Sequence, residues 1–80
     1  MTVEIITPEK KVYSGEATAV ILPGASGSFE ILNNHAPIIS ALKSGVIRLE
    51  NNNEKLSFKT TGGFVEVLHN HVSLLVESAQ

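Results

Sequence analysis

Apolar residues in this chain come in short runs of two-residue period, rich in Val, Ile and Thr and cut off every few residues by Gly, Pro or Asn. An extended strand sends successive side chains to opposite faces, whereas a helix repeats every 3.6 residues, so this pattern specifies strands. Val3 and Ile5 alternate with Thr2 and Glu4, and Pro8-Glu9-Lys10 turns the chain before Val12 and Tyr13. Glu16 to Leu22 reads as the next strand, with Ala17, Ala19 and Ile21 on one face and Thr18, Val20 and Leu22 on the other. Apolar residues on both faces need cover on both sides, which points to a sandwich. Pro23-Gly24-Ala25-Ser26-Gly27 is expected to stop that strand, and Ser28 to Leu32 then leads to the polar corner Asn33-Asn34-His35. Ile38 to Leu42 is short enough to be either a strand or one helical turn. Val46 to Glu50, Leu56 to Thr60, Phe64 to Leu68 and Val72 to Val76 complete the strands, with Asn51-Asn52-Asn53 and His69-Asn70 as hairpin turns.

Eighty residues are enough for one hydrophobic core and no more. With 5% aromatic residues and no Trp, Val, Ile, Leu and Ala must fill that core. The absence of Cys removes disulfides and thiolate metal sites. A net charge of -2 provides no basic face for a run of phosphates, so nucleic acid is not an expected partner. No apolar run approaches the roughly 20 residues that span a bilayer, so membrane contact is expected only through partners.

The residues offer little chemistry. Every acidic residue is Glu, which rules out a Ser-His-Asp triad, and no Ser sits in a G-x-S-x-G elbow. His69 and His71 would share a face if one strand carried both, as a metal site with Glu66 requires, but Asn70 between them reads as a turn residue. Gly24-x-x-Gly27 and Gly62-Gly63 are followed by neither Lys-Ser/Thr nor a helix start, so they read as backbone geometry rather than phosphate loops. No catalytic residue, cofactor site or metal site is expected. Lys43, Arg48, Lys55 and Lys59 read as solvated charges.

Leu22-Pro23-Gly24-Ala25-Ser26-Gly27-Ser28-Phe29-Glu30-Ile31-Leu32, then His35-Ala36-Pro37, and finally Thr61-Gly62-Gly63-Phe64-Val65-Glu66-Val67 resemble the epsilon subunits of F-type rotary ATP synthases, the delta subunits of mitochondria. The resemblance extends to Glu4-Ile5-Ile6-Thr7-Pro8, Val12-Tyr13-Ser14-Gly15-Glu16, Leu42-x-x-Gly45-x-Ile47-Arg48 and Asn70-x-Val72-Ser73-Leu74-Leu75. Glu30 stands where that family commonly has Gly, and Asn33-Asn34 where Pro-Gly is common. The resemblance implies an all-β, flattened sandwich of two roughly five-stranded sheets in a single domain over residues 1–80. It further implies a non-catalytic rotor subunit that couples the gamma subunit to the membrane c-ring during proton-driven ATP synthesis, held peripherally at the cytoplasmic face of a bacterial inner membrane. By the same resemblance Ser26, Gly27, Ser28, Phe29, Glu30, Ile31, Leu32 and Asn33 face the c-ring, and His35, Ala36, Pro37 and Ile38 lie near gamma. The familiar bacterial form continues into two C-terminal helices that restrain ATP hydrolysis. A chain ending at Gln80 is expected to lack that hairpin, and with it autoinhibition and ATP sensing.

Phe29, Ile31 and Leu32 beside a Gly-rich turn have two readings, as core or as a partly exposed interface. The competing functional reading is a free-standing sandwich that binds a sugar or peptide through the 23–35 loop.

Overall fold

The computed structural model describes residues 1–80, built from nine strands and no helix. They are β1 (Thr2–Ile6), β2 (Lys11–Glu16), β3 (Ala19–Gly24), β4 (Gly27–Leu32), β5 (Ile38–Leu42), β6 (Gly45–Asn51), β7 (Glu54–Thr60), β8 (Gly63–Leu68) and β9 (His71–Val76). One layer runs β2-β1-β9-β8-β5 and the other β4-β3-β6-β7. The layers meet where Gly24 of β3 pairs with Leu42 of β5. Around that corner Ala25 N donates to Ala41 O and Lys43 N to Pro23 O, both at 2.9 Å. The sandwich expected from alternation is therefore one sheet curled onto itself, with five strands in one layer and four in the other.

All strand pairs are antiparallel except β1 with β9, which lie parallel with Val3 beside Val72 and Ile5 beside Leu74. Alternate residues supply the core: Val3 and Ile5, Val20 and Leu22, Ile31, Ile47 and Leu49, Val65 and Val67, Val72 and Leu74. Each such side chain contributes about 1.5–3 kcal/mol by leaving water. With no buried side-chain polar atom left unpaired, little opposes that term inside the sandwich.

Ile38 to Leu42 resolves as a strand, because Ile38 through Leu42 pair in register with Val67 through Gly63. Besides shifts of one or two residues at the ends of β6, β7, β8 and β9, two boundaries differ from the sequence reading in kind. The strand expected over Glu16 to Leu22 is broken at Ala17 and Thr18, whose amides turn to Met1 O and Glu50 O, so two residues separate the end of β2 from the start of β3. Pro23 does not stop β3. It continues the strand opposite Ser28, leaving Ala25 and Ser26 as the turn, since a proline at this position still offers its carbonyl to Lys43.

His69 and Asn70 form the two-residue turn between β8 and β9 with φ of 49° and 59°. Positive φ at both positions matches the twist of the hairpin. The Asn70 side chain also fastens the neighbouring corner, its Oδ1 accepting from Asn34 N at 2.8 Å. His69 and His71 consequently do not share a strand, as the turn reading of Asn70 required.

Candidate protein-docking surface

Inward alternation leaves a second set of residues on the outer face of the five-stranded layer. Register places Ala41 beside Phe64, Phe64 beside Leu75, and Leu75 beside Ile6, forming an apolar row across four strands. Phe64 is 56% exposed and Leu75 50%, while Ile39 one row away and Leu68 two rows away are 73% and 45% exposed. Exposed aliphatic residues scattered singly are normal, but a contiguous row of them on a small domain marks an interface.

Two shallow grooves lie on this face. One, of about 360 Å³, runs along Pro37, Ile39, Glu66 and Leu68. The other, also about 360 Å³, is bounded by Ile6, Pro8, Phe64 and Leu75. Both are wide open and mainly apolar, a form suited to side chains of a docking protein rather than to an enclosed small molecule.

The polar border of the face is organised around Glu4, which pairs with Lys11 and lies 2.9 Å from His71 Nε2. Hydrogen bonds from Lys11 first and His71 second hold the Glu4 carboxyl below its ordinary value of 4.5. A carboxyl depressed in the folded state contributes stability that is fully present above 4.5 and is lost as pH falls through the lower folded-state value. Glu4→Gln is therefore expected to flatten the acid limb of a melting-temperature-versus-pH curve while changing its neutral end little. An unchanged acid limb would show that this cluster does not contribute.

The structure distributes the sequence-predicted residues over two regions. Ser26, Gly27, Ser28, Glu30 and Asn33 are exposed along the β3–β4 hairpin, and Leu32 is 53% exposed. Phe29 is half-buried against the core, and Ile31 is wholly buried within it. The two readings of this segment thus divide between its members. Asn33 accepts a hydrogen bond from the Met1 amine at 2.6 Å. His35 is half-buried with Nδ1 2.7 Å from Ala36 O, while Ala36 and Pro37 are exposed. Ile38 packs inward against the core, and its neighbour Ile39 points out.

Ile39, Phe64, Leu68 and Leu75 were not singled out by sequence reasoning. Their signal was present in Phe64-Val65-Glu66-Val67-Leu68, where both alternating sets contain apolar residues. No three His, Cys, Asp or Glu side chains converge as a metal site would require.

Residues 1–80 match the family described as the ATP synthase Delta/Epsilon chain beta-sandwich domain. The chain belongs to this family. It is 44% identical over 80 residues to the ATP synthase epsilon chain of Thermosynechococcus vestitus, covering all of this chain and 58% of that one. The epsilon chain of Chlorobium limicola is 48% identical over 75 residues, covering 92% of this chain and 85% of that one. The chain thus spans little more than half the length of its cyanobacterial relative. Among solved structures, a chain in the Euglena gracilis mitochondrial ATP synthase OSCP/F1/c-ring assembly superposes with a TM-score of 0.91 at 17% identity, over 98% of this chain and 51% of that one. A chain in the Tetrahymena thermophila mitochondrial ATP synthase central stalk/c-ring superposes at 0.84 and 21% identity, over 99% and 64%. At those identities the two superpositions establish the fold.

Proposed function

We propose that this chain is a non-catalytic central-stalk subunit of an F-type ATP synthase, with residues 1–80 forming its β-sandwich domain. The observation that carries the reading is the apolar row Ala41-Phe64-Leu75-Ile6, a stiff and preformed surface that gives the gamma subunit a place to dock. Ile39 and Leu68 widen that surface toward the His35-Ala36-Pro37 segment. The exposed edge of the β3–β4 hairpin, through Ser26, Ser28, Glu30 and Leu32, then meets the c-ring. Contact with the cytoplasmic face of the membrane follows through the complex.

A densely packed sandwich deforms little under load, which is the property a coupling body needs. The membership of this chain in the delta/epsilon family and its likeness to chains of ATP synthase assemblies support the assignment.

Phe64→Glu is the test, because it drives a carboxylate into the centre of the proposed contact while leaving the buried Val65 and Val67 untouched. Affinity for purified gamma, measured by calorimetry, is expected to fall at least about tenfold, equivalent to about 1.4 kcal/mol. Unchanged affinity with the domain still folded would move gamma off this face.

A further inference from the structure

The outer face of the four-stranded layer differs in chemistry from the apolar face across the sandwich. Register puts Val46 beside Lys59, Arg48 beside Ser57 and Glu50 beside Lys55, with Ile47 and Leu49 turned inward between them. Lys43 joins them at the corner. Four of the six basic residues of the chain therefore share this side, and none forms a salt bridge. Between them is a hollow of about 310 Å³ whose walls include Ile21, Pro23, Ser28, Lys43, Val46 and Arg48. It combines an apolar floor with a cationic and hydroxyl rim. The opposite outer face carries Glu4, Glu16 and Glu66 against Lys11. The molecule is electrically polarised across its thickness.

We propose that this basic face is a second docking surface, and that it takes an acidic polypeptide segment. Spaced carboxylates meet Arg48, Lys59 and Lys43, and one apolar side chain sits in the hollow over Ile21, Pro23 and Val46. The pattern of charge selects the occupant. Glu30 lies in Arg48's own row, beyond Ile21, and Glu50 lies beside Lys55 in the next. A uniformly anionic surface, such as a lipid headgroup plane or a phosphate backbone, would press charge against both glutamates. A polypeptide places its carboxylates at intervals and avoids them. The apolar face lies on the opposite side of the sandwich, so its occupancy leaves the basic face free, whereas Ser28 and Glu30 belong also to the hairpin edge proposed for the c-ring, so a peptide seated here competes with that contact.

The test uses the 80-residue chain alone, labelled with ¹⁵N and titrated with a synthetic peptide carrying Glu at alternate positions and one central Leu. Saturable amide shifts are expected at Lys43, Ser44, Arg48, Ser57 and Lys59, weakened about tenfold by Arg48→Glu. They should be abolished at about 0.5 M salt, where screening shortens the reach of charge to a few ångströms. Lys59→Glu serves as an independent second variant, and unshifted core amides verify that each variant is folded. The inference is overturned by an equal response to the same peptide with Lys in place of Glu, or by shifts centred on Phe64 and Leu75. Absence of a saturable shift at millimolar peptide overturns it equally. Cosedimentation with phosphatidylglycerol vesicles that Arg48→Glu releases would assign the face to lipid instead.

Discussion

Gly63→Ala should lower the melting temperature of this domain by roughly 12–24 °C, about 3 kcal/mol at the 4–8 °C per kcal/mol typical of a chain this size. A β-carbon at position 63 would lie 2.2 Å from Leu75 O and 2.7 Å from Val76 Cα. Both are backbone atoms of the strand that Gly63 pairs with, so no side chain can swing aside to make room. The backbone φ of 153° adds strain for any residue with a β-carbon. Relief would require β8 and β9 to separate where β9 also holds β1, spreading the damage across three strands. Thermal unfolding followed by circular dichroism measures the effect. A drop below about 4 °C, or roughly 1 kcal/mol, would mean that the edge relaxes more easily than its geometry implies.

Ile31→Ala is expected to cost about 2–5 kcal/mol, whereas Leu32→Ala should stay within about 0.5 kcal/mol. The neighbours differ only in which way the strand points them. Ile31 is fully buried opposite Val20, and its truncation leaves a cavity in a core shared by both layers. Leu32 is 53% exposed opposite Ala19, so little packing is lost with it. Chemical denaturation of the two variants should show separated midpoints with a common slope. Equal midpoints would contradict the assignment of Ile31 to the core and Leu32 to the surface. On the proposed stalk assignment the same pair separates folding from docking: Leu32→Ala should weaken retention on the c-ring without unfolding the chain.

Most of the strand content was legible because alternation is a local property. Val3/Ile5, Ile47/Leu49, Val65/Val67 and Val72/Leu74 each occupy alternate positions, and all are buried. Less legible were features decided by pairing between distant segments. Ala17 and Thr18 carry strand-like side chains, yet their amides are claimed by Met1 and Glu50. Pro23 looks like a terminator in isolation and is accommodated because the partners of β3 need only its carbonyl there. The corner at Gly24 and Leu42, which turns two sheets into one, has no sequence signature. The docking face was hidden for a related reason. Phe64 and Leu75 are unremarkable apolar residues until register sets them side by side with Ile6, and only then do they form a surface. Ile38 drew attention through its neighbours His35-Ala36-Pro37, but the pleat turns it inward and presents Ile39 instead.

The parallel alliance of β1 with β9 has a consequence for how the molecule comes into being. β1 finds one of its two lateral partners in β9, nearly seventy residues later in the chain, so Thr2 through Ile6 must wait for His71 through Leu75. At about 5–20 residues per second of synthesis the interval is several seconds, during which the β1–β2 hairpin has an unfilled edge and the bare side chains of Val3 and Ile5. Such distant closure slows folding by making the chain lose loop entropy before any contact repays it. The five-stranded layer is thus completed late, and until β9 arrives the free edge of β1 is open to pairing with another chain.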